Sequence, residues 1–155
     1  YLFTDNGQDT MGEDFPEEEV NLLVDGADYG WLEESPEDPH PDGTEPPIVT
    51  WTPHTSVNGM TTRPANLPGD EHTVYATVFG SWATILPKGH QILKIDFTET
   101  DDGWVGEVEV FASDVGTPLP ITGGPDGNLY YATFDHGGAV HVISPQTFEG
   151  GFDWT

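Results

Sequence analysis

Apolar and polar side chains alternate along much of the chain, the period of a strand with one face covered. In Gln91-Ile92-Leu93-Lys94-Ile95-Asp96-Phe97, the side chains Leu93, Ile95 and Phe97 fall on one face and Lys94 and Asp96 on the other. Glu107-Val108-Glu109-Val110 alternates in the same way, and both segments predict half-buried antiparallel strands. Asn128-Leu129-Tyr130-Tyr131-Ala132-Thr133-Phe134 is apolar on both faces, the pattern of an inner strand covered on both sides. The preceding Gly124-Pro125-Asp126-Gly127 predicts a tight turn, with glycine supplying the positive φ such turns need. Strands are expected near residues 1–5, 20–25, 73–79, 90–97, 106–112, 128–134 and 138–144. No long helix is expected; Pro16-Glu17-Glu18-Glu19-Val20 suffices for one turn.

The strands recur as a unit. Leu2-Phe3-Thr4 is followed by Gly7 and then Leu22-Leu23-Val24; Val74-Tyr75-Ala76-Thr77 by Gly80 and then Ile92-Leu93-Lys94-Ile95; Tyr130-Tyr131-Ala132-Thr133 by Gly137 and then Val140-His141-Val142-Ile143. Strand–glycine–strand units offset by about 50–70 residues point to a radially repeated sheet. Propeller blades take four strands each and ~40–50 residues. The fold class is therefore all-β, a partial β-propeller of about two to three blades. Such a piece cannot close a ring, so its exposed sheet edges are expected to pair with the remainder of its own propeller, with other copies or with other chains. Tyr1-Leu2-Phe3-Thr4 reads as the middle of a strand, without an initiator Met or a signal-peptide pattern, and a longer precursor is expected.

One stretch breaks the period. Residues 33–56 form an acidic, proline-rich loop inserted between blades, and Glu33 to Pro47 carries no periodicity that would hold it in a sheet. It reads as a solvated excursion; the regular ligand spacing of an EF-hand is absent.

Charge changes the picture further. The chain has 155 residues, 28 acidic against 3 basic, and a formal net charge of -25. A small soluble domain carries roughly 2–8. Five Trp, five Tyr and eight Phe argue against an acidic disordered chain, since they can form a core. Halophilic solvation explains the excess: concentrated cations screen the repulsion and carboxylates hold water at the surface. Binding to nucleic acid or to an anionic membrane surface is excluded, because no basic patch exists to neutralise phosphates. No apolar run reaches the ~20 residues that span a bilayer. The absence of cysteine removes disulfides, zinc–thiolate sites and cysteine nucleophiles.

Thr4-Asp5-Asn6-Gly7-Gln8-Asp9, Glu19-Val20-Asn21-Leu22 and Gly26-Ala27-Asp28-Tyr29-Gly30-Trp31 together carry a resemblance. So do Asn58-Gly59-Met60, Phe79-Gly80-Ser81-Trp82 and the Gly124–Tyr130 turn. In this order the segments resemble the C-terminal half of the glucose/sorbosone dehydrogenase family, over roughly residues 1–145; the Tyr-Gly-Trp segment is the most specific. The resemblance implies a six-bladed propeller that holds pyrroloquinoline quinone and calcium near its axis and oxidises a sugar hydroxyl by hydride transfer to the quinone. It implies that the backbone carbonyls of Gly7 and Gln8 ligate the calcium, an ion that takes 6–8 oxygens. The general-base histidine of the family belongs to its N-terminal half, so no catalytic residue is assigned here and this chain alone is not expected to be active.

Departures from the pattern are concentrated at the cofactor. Phe79-Gly80-Ser81-Trp82-Ala83-Thr84 stands where sorbosone-type relatives read His-Gly-Ser-Trp-Asn-Arg, and Thr117-Pro118 where they place Arg-Pro. A quinone bearing several carboxylates needs compensating cations. No His-Glu-X-X-His or His-X-His spacing marks a transition-metal site, and Ser81 lacks the Gly-X-Ser-X-Gly context of a nucleophile. His40 and His54 sit in loops; His136 and His141 flank the last unit as surface or edge residues. Two main readings follow. One is the C-terminal portion of a quinoprotein sugar dehydrogenase, extracellular or at the cell surface of a halophile. The other is a non-catalytic halophilic propeller serving as a binding or surface-structural module. A hydrolytic, lactonase-type propeller would need a carboxylate-lined calcium site at the axis.

Overall fold

A computed structural model describes residues 1–31, 33–82, 84–135 and 137–145. Ten strands run through them without a helix: β1 (Leu2–Asp5), β2 (Glu18–Leu22), β3 (Val49–Trp51), β4 (Val57–Thr62), β5 (Thr73–Val78), β6 (Gln91–Thr100), β7 (Gly103–Ser113), β8 (Pro118–Gly123), β9 (Leu129–Thr133) and β10 (Ala139–Ile143). They form three antiparallel sheets, β1-β2-β3, β4-β5-β6-β7 and β8-β9-β10, each a meander in chain order. All seven expected strands are present, and each strand–glycine–strand unit is an antiparallel pair: β1 with β2, β5 with β6, β9 with β10.

Three further strands carry no period-two signal, for physical reasons. β3 is only three residues long. β4 contains Gly59 beside a register shift, and β8 contains Pro118 and Pro120. Proline cannot donate to a ladder and is tolerated on an edge; β8 is an edge strand.

The sheets pack face to face. Contacts run β1 to β4, β3 to β7, β4 to β8 and β5 to β8, so successive sheets stack as blades of a partial propeller. Between the first and second sheets lie Val20, Val49, Val74, Ala76, Val78, Leu93, Ile95 and Phe97. Between the second and third lie Leu67, Tyr75, Ile92, Ile121, Leu129 and Tyr131. Full burial of each Val, Leu, Ile or Phe among them stabilises by about 1.5–3 kcal/mol. The middle sheet is thus covered on both faces, which corrects the half-buried reading of the strand around Lys94. Lys94 is itself buried, pairing with Asp96 on its own strand and with Glu109, 3.5 Å away across the ladder.

The acidic excursion also differs from expectation. It leaves β2 and returns as β3 in the same sheet, so it interrupts one blade rather than separating two, and Val49–Trp51 of the expected loop is strand. The Gly-X-X-Tyr-Gly-Trp segment anchors its start. The Tyr29 hydroxyl accepts from the Val24 amide at 2.8 Å and donates to the Leu22 carbonyl at 2.8 Å, while the ring meets Phe3 edge-on at 4.9 Å.

Candidate functional site

The inner edges of the second and third sheets meet at β4 and β8, and at one end of these strands the chain forms an open cleft. Its walls come from the β1 turn (Asn6), the start of β4 (Ser56, Asn58), the loop after β5 (Phe79, Trp82) and the segment after β9 (Phe134). An adjoining hollow shares the same aromatics and adds His90, Thr117 and Asp135. The two measure about 310 and 530 Å³.

Three aromatic rings form the floor. Phe79 is buried and stacks on Trp82 with centroids 5.5 Å apart and planes 18° off parallel; Phe134 lies 6.1 Å away at 55°. Trp82 is 80% exposed and Phe134 66% exposed. Tryptophan and phenylalanine left open on a fixed ring are a stacking platform, the apolar part of a small-molecule site.

The loop bearing Trp82 is held by its backbone. The amides of Phe79 and Gly80 donate to the carbonyls of Ser56 and Thr55, both at 2.9 Å, and Ser81 N donates to the Lys88 carbonyl at 3.0 Å. Gly80 has φ 123°, and a Cβ there would sit 2.5 Å from the His90 ring, so only glycine fits. Across the cleft, Asp135 accepts from the Thr117 amide at 3.2 Å and its hydroxyl at 2.5 Å, and His90 Nδ1 donates to the Gly116 carbonyl at 2.9 Å. His90 carries no motif; only the tertiary approach of β6 brings it here.

Ser56 of the cleft is tied to Glu18, which is 1% exposed. Its Oε1 accepts from the amides of Thr55 at 2.8 Å and Ser56 at 3.0 Å, while Oε2 makes no hydrogen bond. Burial pushes this carboxyl up from its ordinary value, and the amides of Ser56, Thr55, Gly7 and Val57 pull it part of the way back. Of the turn expected to hold calcium, Asn6 lines the cleft. Gly7 packs on the following segment, where a Cβ would meet the carbonyl oxygens of Pro16 at 2.8 Å and Glu17 at 3.0 Å. Gln8 continues that turn, half-buried. Among the described residues no group of three or more acidic or histidine side chains is gathered so as to hold a metal ion.

A second, acidic hollow forms where the excursion folds back on the first sheet, bringing Glu34 and His40 beside Glu17 and Glu19. Burial raises the carboxyls of Asp5, Glu19 and Glu34; their mutual repulsion raises Glu19 and Glu34 further, against the hydrogen bond Asn21 gives Glu19. The sequence pattern did not place these groups together, because their approach depends on the path of residues 23–48.

Two further histidines have structural partners. His54 is buried, with Nε2 2.7 Å from the Gly12 carbonyl and 3.0 Å from that of Phe15; His141 stacks on Tyr131 at 4.8 Å. Ala83 and His136 lie outside the described residues.

The quinone implied by the family resemblance does not suit these walls. The chain has three Lys and Arg side chains, and each is held elsewhere. Arg63 donates to the carbonyls of Asp70, Ala65 and Leu67; Lys94 pairs with Asp96 and Glu109; Lys88 Nζ donates to the Glu13 carbonyl at 2.7 Å. Among the described residues no Lys or Arg lines the cleft, and Asp135 adds a carboxylate to it.

No protein-family model and no curated protein matches the chain. Solved structures do. An oxidoreductase of the glucose dehydrogenase kind from Thermus thermophilus is 20% identical, with a TM-score of 0.64 over 91% of this chain and 40% of that one. The soluble aldose sugar dehydrogenase from Escherichia coli is 20% identical, with a TM-score of 0.62 over 84% and 38%. The PQQ domain of pyranose dehydrogenase from Coprinopsis cinerea, in its holo form, is 17% identical, with a TM-score of 0.56 over 90% and 48%. At these identities the likeness shows the fold: this chain has the architecture of part of a sugar-dehydrogenase propeller, spanning about 40% of the length of the glucose dehydrogenase structure.

Proposed function

We propose that the chain is the C-terminal portion of a carbohydrate-acting β-propeller of the sugar-dehydrogenase type, and that its aromatic cleft is the part of the sugar site this chain supplies. The observation that carries this reading is the platform of Trp82 and Phe134 on buried Phe79, at the end of the inner strands. A sugar ring lays its C–H face on an aromatic ring, while Asn6, Ser56, Asn58 and Thr117 offer hydrogen-bonding groups around it. Residues outside this chain would supply the proton acceptor and the oxidant. A calcium held by the carbonyls of Gly7 and Gln8 stays within the proposal, as an ion that would orient an oxygen of the substrate beside Asn6.

The second reading is a propeller that binds saccharide without oxidising it, and the lack of any Lys or Arg along the cleft among the described residues favours it. In either case Val140, which is 77% exposed, and Val142 beside it would be covered by further blades or other copies, and the acidic surface suits secretion into concentrated salt. The test is turnover by the full-length protein in molar KCl with aldoses, a dye acceptor, calcium and pyrroloquinoline quinone. Dye reduction that needs the sugar and falls at least tenfold in Trp82→Ala supports the dehydrogenase. Saccharide binding without dye reduction selects the binding module; the absence of both overturns the cleft as a sugar site.

A further inference from the structure

We infer that the wall built by this chain excludes a carboxylated quinone and takes an uncharged ring directly on Trp82 and Phe134. This rests on the cleft being the ligand site proposed above, and it departs from what the family resemblance implies about the cofactor.

Each Lys and Arg of the chain already has a partner. A quinone carboxylate brought out of water requires a fixed positive group, and beside another carboxylate it meets a repulsion that a protein wall screens less than water does. Arg63, Lys88 and Lys94 are all engaged by carbonyls or carboxylates elsewhere. At the two positions where the family pattern places arginine, Thr84 hydrogen-bonds Ser81 and the Leu86 carbonyl, and Thr117 hydrogen-bonds Asp135. These threonines are therefore integrated into the loops rather than standing in for a lost cation.

Molar salt does not restore the site. It shortens the screening length to about 3 Å and so removes the long-range repulsion of the -25 charge. A mobile cation, however, supplies no oriented contact at the carboxylate. An uncharged ring has no such requirement, and the open faces of Trp82 and Phe134 suit its apolar side.

The experiment measures binding rather than turnover, on the full-length protein in molar KCl. Equilibrium dialysis follows pyrroloquinoline quinone and, as a simpler polycarboxylate, benzenetricarboxylate; tryptophan fluorescence follows neutral mono- and disaccharides. The wild type should bind saccharide with a constant in the millimolar range and should retain neither polycarboxylate. Trp82→Ala should weaken saccharide binding about tenfold or more. Thr84→Arg combined with Thr117→Arg should raise polycarboxylate retention about tenfold or more, since each charge-assisted pair adds a strong contact. Micromolar binding of the quinone by the wild type overturns the inference and leaves the sugar-site proposal standing. Failure of every saccharide to bind at tens of millimolar overturns both. Should the double arginine variant lose its circular-dichroism signature, the wild-type comparison of quinone with saccharide decides alone.

Discussion

Glu18 shows how one buried carboxylate organises the approach to the cleft. It supplies the acceptor for the Thr55 and Ser56 amides, and these two residues in turn hold the loop that carries Trp82. Glu18→Ala should leave both amides without an acceptor and cost about 1–3 kcal/mol in urea unfolding. Glu18→Gln keeps an acceptor and removes the buried charge, so at neutral pH its stability should fall within about 1 kcal/mol of the wild type or exceed it. The sign follows from linkage: the folded carboxyl is raised above its ordinary 4.5, so the folded state holds this proton more tightly. Its contribution then falls as pH rises from 4.5 through the folded value and levels off above it. Glu18→Gln should flatten that limb; an unchanged pH profile would show that Glu18 does not set it.

At the scale of elements, the stacking of sheets depends on where backbones touch. Gly59 of β4 lies against β8, where a Cβ would stand 2.6 Å from the Leu119 carbonyl oxygen and 2.9 Å from Thr77 Oγ1. Thr77 already bridges to that strand, donating to the Leu119 carbonyl at 2.5 Å. Gly59→Ala should push β4 and β8 apart and cost about 1–3 kcal/mol, with weaker amide protection in β8 as the accompanying sign. Within the middle sheet, burial alone would raise the Asp96 carboxyl, but hydrogen bonds from Lys94 and Thr73 and the Lys94 charge hold it below its ordinary 3.8. A depressed carboxyl contributes stability that is present above 3.8 and lost as pH falls through the lower folded value. Asp96→Asn should therefore destabilise at neutral pH by on the order of 1 kcal/mol, a modest figure because the Asp96 side chain is 46% exposed. The gap from wild type should close in acid; a gap constant down to the lowest pH would contradict the pairing. Urea is the denaturant of choice, since guanidinium screens the same charges.

Across the whole molecule, acidity is both dispersed and locally concentrated. Asp5, Glu19 and Glu34 repel one another where the excursion meets the first sheet, and 28 acidic residues face three basic ones overall. Stability should rise from low to molar KCl, with the melting temperature climbing steadily as repulsion is screened. A melting temperature flat over that range would remove the halophilic reading. Replacing Glu34 by Gln should make the climb shallower, because it relieves one of the close repulsions that salt relieves in the wild type.

The all-β class, the three strand–glycine–strand units and seven of the ten described strands are legible in the sequence, because period-two burial writes itself directly into residue order wherever a strand has a covered face. The three cations against 28 acids are legible for the same kind of reason: charge is a property of the residues themselves. Edge strands β4 and β8 escape, since their place is set by close backbone approach at Gly59 and by tolerance of proline at an edge rather than by alternation. The cleft escapes almost entirely. Asn6, Phe79, His90 and Phe134 come from four separate segments, and only the face-to-face stacking of sheets turns them toward one space. Residue chemistry therefore determined what this chain lacks, fixed positive charge above all, while tertiary packing decided where that lack matters: at the walls of an aromatic cleft.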